Sequence, residues 1–246
     1  MPRRWVVLVA ALSLSIGYGA ARLQAEHRLV TSGEKNTVQV AGGALSALVQ
    51  VRSRIPRHLR QPGGLRTEIG SGFFISKYLI LTDDHVVALA SSISVRLRGG
   101  KLVKAQLQAA NPGLDLAILR VNAPAPKALR LSSSRNLLPG EKLIVLGNPY
   151  GIPNFIATGV LSAVARAGSP GAGVGGALGK LLMTTAAVLS GDSGGPVLDS
   201  SGRVVGVVDA DLGAPLLVPG AQIGLAIPSS TVRGELAKLH LPRPSS

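Results

Sequence analysis

Short apolar segments alternate with polar punctuation along most of the chain. Gly, Pro, Asn, Asp or Ser separates most neighbouring segments. Short apolar runs bounded by such turn-forming residues predict β-strands, and a long series of them is typical of a sandwich or barrel. The runs cover residues 45–51, 72–75, 79–81, 93–97, 102–107, 116–121, 143–146, 156–164, 181–188, 197–198, 204–208 and 223–227. We therefore predict an all-β fold of two barrels.

A Pro-rich connection at residues 123–127 offers a natural division between the two barrels. Proline lacks the N–H that a central strand donates, so a Pro-rich connection favours a break between barrels over a continuous sheet. We accordingly predict barrel one at about residues 39–125 and barrel two at about residues 126–230, within a domain of residues 39–240.

The two ends of the chain depart from this pattern. An uncharged, largely apolar run at residues 5–21 follows Arg3 and Arg4 and precedes Arg22. It predicts a hydrophobic helix in residues 1–21, as a signal peptide or an N-terminal membrane anchor. Residues 22–38 are polar without a sustained period, so we expect a linker. The apolar rhythm from Thr231 to Leu239 predicts a short C-terminal helix, followed by a tail at 241–246.

The amino-acid composition excludes several classes of function. The chain has 246 residues, 26 Lys and Arg against 12 Asp and Glu, a net charge of +14 and no cysteine. Without cysteine, disulfides, a thiol nucleophile and thiolate metal sites are excluded. The basic residues are scattered and only 3% of residues are aromatic, so we expect no specific nucleic-acid partner. Attraction to an anionic membrane surface stays open as a secondary role.

The most specific string is GDSGGP at residues 191–196. A nucleophilic serine needs an exposed hydroxyl on a tight turn, with backbone N–H groups directed at the developing oxyanion. Glycines on both sides of Ser193 permit that close approach. We predict Ser193 as nucleophile and the segment Gly191, Asp192 and Ser193 as oxyanion hole, with the N–H groups of Gly191 and Ser193 as donors. An ordinary turn is the alternative interpretation.

Serine requires a general base, and histidine is the side chain suited to that task near neutral pH. Of the 4 histidines, His85 alone follows an apolar strand and precedes an apolar turn. The base in turn requires an orienting carboxylate, and Asp115 begins a strongly apolar strand. Asp83 and Asp84 adjoin His85 in sequence, and we interpret them as loop carboxylates. The chain order His85, Asp115, Ser193 is that of chymotrypsin-type proteases.

On these motifs the sequence resembles the HtrA (DegP-like) serine proteases. The matching strings are GSGFFI (70–75), ILTDDHVV (80–87), DLAIL (115–119), LGNPYG (146–151), TGVLS (158–162), GDSGGP (191–196) and GLAIP (224–228). The resemblance implies a chymotrypsin-like double six-stranded β-barrel, catalysis by His85, Asp115 and Ser193, and an extracytoplasmic enzyme that cleaves unfolded or misfolded polypeptides in protein quality control. It also implies a homotrimer.

Several positions depart from the pattern of these proteases. Asp83 and Asp84 replace a usual pair of Asn, Asp192 replaces a usual Asn, and Thr185 stands where Asp is common. We also expect no PDZ module after the protease domain, because fewer than 20 residues follow Pro228.

Substrate binding is expected at the end of the strand at residues 204–208, with Val207, Val208 and Asp209 bordering the primary pocket. Nearby carboxylates would suit basic side chains, whereas HtrA-type proteases more often accept small aliphatic ones. No cluster of His, Asp and Glu has metal-ligand spacing, so we expect no cofactor and no essential metal. The alternative functions are a catalytically idle two-barrel scaffold at a membrane surface and a polyanion binder.

Overall fold

The computed structural model describes residues 31–60, 64–166, 179–209 and 223–239. The chain forms two compact units, residues 1–39 and residues 40–246. The predicted hydrophobic helix in residues 1–21 and the tail at 241–246 lie outside the described residues. Within the four described stretches, no helix has both the length and the apolarity needed to cross a membrane.

The first barrel closes in the strand order β1-β2-β3-β6-β5-β4. Every neighbouring pair is antiparallel. Its strands are β1 (Leu48–Arg54), β2 (Thr67–Phe74), β3 (Leu79–Thr82), β4 (Ser92–Arg96), β5 (Leu102–Asn111) and β6 (Leu116–Val121). Closure leaves no unpaired strand edge, which stabilises a fold that has no disulfides.

The second barrel closes in the order β10-β11-β12-β9-β8-β7. Its strands are β7 (Lys142–Gly147), β8 (Phe155–Arg166), β9 (Lys180–Thr184), β10 (Pro196–Leu198), β11 (Val204–Val208) and β12 (Gly224–Pro228). The double six-stranded architecture expected from the sequence is therefore confirmed.

Buried side chains fill both barrels. One apolar cluster includes Phe73, Phe74 and Leu119 of the first barrel and extends to Leu146 and Val207 of the second. A smaller cluster, around Leu143 and Leu182, lies in the second barrel. Because one cluster contains side chains from both barrels, the two barrels share part of one close-packed apolar core.

Two α-helices lie among the described residues. Helix α2 (Ser229–Lys238) is the predicted C-terminal helix, and its Val232 and Leu236 are buried. Helix α1 (Ser32–Ala44) begins inside the segment that we expected to be a linker. A capping box explains its start: Glu34 N–H donates to Thr31 Oγ1, and Thr31 N–H donates to the Glu34 carboxylate. This helix carries no regular apolar stripe, so its hydrophobic pattern did not predict it.

Candidate active site

His85 lies in the short turn that follows β3. The turn is closed by the N–H groups of Val87 and Ala88, which both donate to the carbonyl of Asp84 at 2.8 Å. Val86 and Val87 are buried in the core, so the backbone on the C-terminal side of His85 is anchored by packing. The imidazole remains partly exposed and lines a groove on the surface.

Asp115 holds His85 through two hydrogen bonds. The backbone N–H of His85 donates to Asp115 Oδ1 at 2.8 Å, and His85 Nδ1 lies 2.6 Å from Asp115 Oδ2. With Nδ1 bonded to the carboxylate, Nε2 is left as the nitrogen that can accept a proton. Burial raises the pKa of Asp115, but the hydrogen bonds and charge of His85 and a hydrogen bond from Asp209 outweigh it, so the pKa is lowered.

Ser193 lies in the loop between β9 and β10, and it lines the same groove as His85. Two residues of this loop have backbone conformations that favour glycine, Gly191 at φ 96° and Gly194 at φ 85°. A Cβ on Gly194 would also stand 2.3 Å from the carbonyl oxygen of Ser71 and 2.4 Å from Thr82 Oγ1. The glycines of GDSGGP are thus required by conformation and by close packing against the first barrel.

Ser71 of β2 fixes the serine loop from across the cleft. Its N–H donates to the carbonyl of Ser193 at 2.8 Å, and its hydroxyl donates to the carbonyl of Gly191 at 2.7 Å. The same hydroxyl accepts the N–H of Asn148 at 2.8 Å. The sequence placed Ser71 only within the GSGFFI motif. No local pattern reveals its hydrogen bond to Gly191, which is 120 positions away.

The peptide bond between Ser190 and Gly191 has a defined orientation. The N–H of Tyr150 donates to the carbonyl of Ser190 at 3.0 Å. A trans peptide points its C=O and N–H in opposite directions, so the Gly191 N–H is directed away from Tyr150. Within the part of the chain that the structure describes, the Gly191 N–H has no acceptor in the protein.

Asp192 lies between the two predicted oxyanion donors, Gly191 and Ser193. Its N–H donates to the carbonyl of Leu189 at 2.9 Å, so this group shapes the turn and is not offered to a ligand. Its side chain is wholly buried, with Oδ2 accepting the Leu189 N–H at 3.0 Å and no partner for Oδ1 among the described residues. Burial raises the pKa of Asp192 to about 6, despite the hydrogen bond from Leu189.

Three further carboxyl groups surround His85 and Asp115. Asp83 and Asp209 are 0% exposed and Asp84 is 7% exposed, so Asp83 and Asp84 lie in the loop after β3 but are shielded from solvent. Burial and the charge of Asp115 raise the pKa of Asp84, against the opposite effect of His85. Sequence reasoning missed this cluster because its members come from three separate loops.

Some of these side chains could supply ligands to a divalent metal ion. The candidate ligand atoms of Asp83, His85, Asp115 and Asp209 all lie within 4.8 Å of one another. An ion using His85 Nδ1 would have to break the hydrogen bond to Asp115. The arrangement therefore suits proton transfer, and the expectation of no essential metal stays a prediction.

The groove beside Ser193 has a volume of about 570 Å³, which suits a segment of polypeptide. Gly191 also lines it, and so do Arg60 and Glu68. Its apolar walls are Ile55, Leu59, Leu65, Ile69, Val86 and Tyr150.

Val207, Val208 and Asp209 are not among the described residues that line this groove. All three are 0% exposed. Val208 donates its N–H to Gly195 and accepts the N–H of Gly194, so its backbone supports the serine loop. Their predicted contact with the substrate stays a prediction.

Comparison with known proteins finds related serine proteases. Residues 70–207 match the family model described as a trypsin-like peptidase domain. The "Probable periplasmic serine endoprotease DegP-like" of Ectopseudomonas mendocina is 36% identical over 157 residues, which are 62% of this chain and 32% of that protein. The chain thus spans about a third of the length of this curated relative.

Two solved structures share the fold. The active form of the Rv3671c protease from M. tuberculosis has a TM-score of 0.68 and 28% identity, covering 84% of this chain and 86% of that one. The HtrA-type protease AlgW with a tripeptide has a TM-score of 0.68 and 25% identity, covering 84% of this chain and 63% of that one.

Proposed function

The chain belongs to the trypsin-like peptidases of the HtrA/DegP type, and we propose that it is a serine endopeptidase that cleaves unfolded or misfolded polypeptides. The observation that carries this proposal is the pair of hydrogen bonds from His85 to Asp115, beside a groove that His85 shares with Ser193. That arrangement can produce an activated serine next to a bound peptide.

In the proposed reaction, the Ser193 hydroxyl attacks the scissile carbonyl while His85 Nε2 accepts its proton. His85 then donates this proton to the leaving amine, and water hydrolyses the acyl-enzyme by the same route in reverse. Asp115 stays ionised throughout and stabilises the imidazolium that forms. Its lowered pKa supports this role, because the carboxylate then keeps its charge at neutral pH.

The N–H groups of Gly191 and Ser193 would stabilise the tetrahedral oxyanion. Support comes from the fixed peptide before Gly191 and from the Ser71 bonds to the carbonyls of Gly191 and Ser193. Donors fixed before the reaction need no reorganisation when charge develops, which is why such sites contribute strongly to catalysis.

An unfolded chain is the substrate that the groove favours. A groove of about 570 Å³ with mainly apolar walls accepts an extended segment whose apolar side chains are exposed, and a folded protein hides such segments. We extend the proposal to an extracytoplasmic location and quality-control role, since one relative is named periplasmic. A homotrimer and an N-terminal anchor or signal are parts of the same proposal.

Cleavage of casein by the full chain tests the proposal, with Ser193→Ala as the critical variant. We expect time-dependent cleavage by the wild type, covalent labelling of Ser193 by a fluorophosphonate, and loss of both in Ser193→Ala. Ser201→Ala is the matched control, because Ser201 is an exposed serine in the turn between β10 and β11.

The outcomes separate the candidate functions. Labelling without cleavage would support a competent site that acts on another substrate class and would exclude the general casein-degrading activity. A folded wild type that shows neither labelling nor cleavage would contradict the proposal and favour the idle-scaffold alternative.

A further inference from the structure

Asp209 belongs to the second barrel, yet its carboxyl group lies at the catalytic pair of the first. It directly follows β11, and its N–H donates to the carbonyl of Leu225 at 3.1 Å, one residue beyond the strand's end. The candidate ligand atoms of Asp83, His85, Asp115 and Asp209 lie within 4.8 Å of one another. Asp209 is 0% exposed, so the strand end presents its carboxyl group to the cluster and not to solvent.

The chemistry of carboxyl groups limits the charge in this cluster. Asp115 is held ionised by two donors of His85, the backbone N–H at 2.8 Å and Nδ1 at 2.6 Å. The side chain of Asp209 also forms a hydrogen bond with Asp115. An ionised carboxylate has no proton to donate, so two carboxyl groups can bond each other only when one is protonated. With Asp115 ionised, the proton belongs to Asp209.

Repulsion between like charges also supports a protonated Asp209. Several carboxylates around one imidazole cannot all ionise in a buried site, because each negative charge disfavours the next. A proton shared between two neighbouring carboxyl groups removes one of these charges and supplies the donor that Asp115 can accept.

We infer that Asp209 is a positioning residue for the proposed serine protease reaction: its neutral carboxyl group donates a hydrogen bond to Asp115, which holds His85. This inference rests on the proposed function for its catalytic consequence. Asp209 would limit the rotation of the Asp115 carboxylate and disperse its charge, so that both oxygens stay directed at His85.

The position of Asp209 also couples the two barrels. The residue before it, Val208, accepts the N–H of Gly194 at 2.9 Å and donates to the carbonyl of Gly195 at 2.8 Å. The loop that carries Ser193 and the carboxyl group that supports Asp115 are thus fixed by adjacent residues of one strand end. This arrangement fixes the serine loop and Asp115, which holds His85, relative to each other.

Substitutions at Asp209 test the inference through kinetics of the full chain. Asp209→Asn keeps a neutral donor of nearly the same shape, and we expect its kcat to stay within about 3-fold of the wild type, since the donated hydrogen bond survives. Asp209→Ala removes the donor, and we expect kcat to fall by about 10-fold or more with little change in KM, because general-base catalysis loses its alignment. Asp209→Val provides the same test with less lost volume if the Ala variant does not fold.

The pH profile of kcat/KM supplies the decisive readout. The titratable groups that face Asp209 are Asp115, Asp83 and His85, and Asp84 interacts with both Asp115 and His85. If Asp209 is neutral, Asp209→Asn leaves the acid limb unchanged. If Asp209 is ionised, the same variant removes a negative charge beside His85 and lowers that limb by about one pH unit, which would overturn the inference. Wild-type kcat in Asp209→Ala would overturn it too.

The matched control is Asp199→Asn. Asp199 is a largely buried carboxylate of the same barrel, paired with Arg203 at 2.9 Å in the turn between β10 and β11. We expect no change in its kcat or its acid limb. A loss equal to that of Asp209→Ala would mean that removing any buried carboxylate of this barrel impairs the enzyme, and it would contradict a specific role for Asp209.

Proton NMR separates this inference from the proposed function, because it requires no turnover. In a Ser193→Ala background, we expect the strongly deshielded Nδ1 proton of His85 to appear in the parent and in Asp209→Asn, and to broaden or move upfield in Asp209→Ala. An unchanged resonance in Asp209→Ala would overturn the positioning role. Absent labelling and cleavage in the wild type would instead overturn the proposed function alone.

Discussion

The two sides of the cleft each shield an aspartate from solvent, Asp115 partly and Asp192 fully, but their carboxyl groups differ in hydrogen bonding and in pKa. On the first-barrel side, Asp115 receives two hydrogen bonds from His85, and its pKa is lowered. On the second-barrel side, Asp192 receives one bond from Leu189, its Oδ1 has no partner among the described residues, and its pKa is raised to about 6.

This difference shows that burial alone does not set the charge of a carboxyl group; the donors do. Asp115 works as a fixed anion because His85 and Asp209 provide hydrogen bonds to its oxygens. The backbone N–H of Asp192 closes the turn next to Ser193. Its ionised side chain is disfavoured because one carboxylate oxygen has no hydrogen-bond partner among the described residues. The base side is therefore held by hydrogen bonds to the Asp115 carboxylate, and the nucleophile side by hydrogen bonds to backbone carbonyls of the serine loop.

The largest effect is expected from Asp115→Asn. The amide keeps the shape of the side chain but loses the charge and offers His85 Nδ1 an NH₂ group, which favours the wrong tautomer. We expect kcat to fall by about 10⁴-fold, the magnitude known for the equivalent change in a Ser-His-Asp triad. Steady-state kinetics on a casein-derived peptide measures it, with circular dichroism to verify the fold. A loss below about 10-fold would show that Asp115 does not orient the base.

An intermediate effect is expected from Ser71→Ala, which tests the nucleophile side. The variant removes the donor to the Gly191 carbonyl and leaves the Asn148 N–H without its acceptor. We expect kcat to fall by about 10-fold to 100-fold, because small displacements of oxyanion donors cost that much. Fluorophosphonate labelling rates give a second measure of the same loss.

Ser53→Ala is the control for that variant. Ser53 is also a fully buried serine of the first barrel, but its hydroxyl has no partner among the described residues. We expect wild-type kcat. Equal activity losses in the two variants would refute the view that Ser71 acts through the serine loop.

The smallest effect is expected from Asp192→Asn, and it is an effect on stability. Because the pKa of Asp192 is raised from 3.8 to about 6 on folding, the folded chain holds this proton more tightly than the unfolded chain. Its contribution to stability is therefore most favourable below pH 3.8, weakens as pH rises to about 6, and stays unfavourable above that. The Asn variant has no charge to bury.

Thermal melting at pH 5.0 and pH 7.5 measures this difference. We expect Asp192→Asn to melt about 3–6 °C above the wild type at pH 7.5, and the gap to narrow at pH 5.0. Melting temperatures that differ by the same amount at both pH values would show that Asp192 does not titrate in this range. The contribution of Asp115 should change with pH in the opposite direction. Because its pKa is lowered on folding, ionised Asp115 stabilises the fold at neutral pH, and this stabilisation is lost only as pH falls below 3.8.

The distribution of positive charge illustrates where sequence reasoning reaches its limit. Along the chain the basic residues look scattered, but strand register aligns Arg52 opposite Ser94, and Ser94 opposite Lys104. Arg54 and Arg96 share this outer face, where β1, β4 and β5 contain no acidic residue. Register across three strands is a tertiary property, so no local pattern could have revealed this cationic face.

Much of the fold and part of the site could be predicted from local patterns. Apolar runs with turn-forming punctuation indicate strands because alternate side chains must be buried, and that rule acts over a few residues. The GDSGGP string predicts a tight serine loop because glycine conformation and close approach are local requirements. His85 and Asp115 stand out through their position at strand ends.

Tertiary structure alone decided which carboxyl groups surround the proposed base. Asp83, Asp115 and Asp209 follow three different strands or turns, and nothing in the sequence near Asp209 indicates that its side chain reaches Asp115. Helix α1 escaped prediction for a different reason: the capping box of Thr31 and Glu34 is a local signal, but no sustained apolar period follows it. Local sequence specifies backbone conformation and chemical type, whereas the charge state of a buried group depends on neighbours that only closure of the barrels brings together.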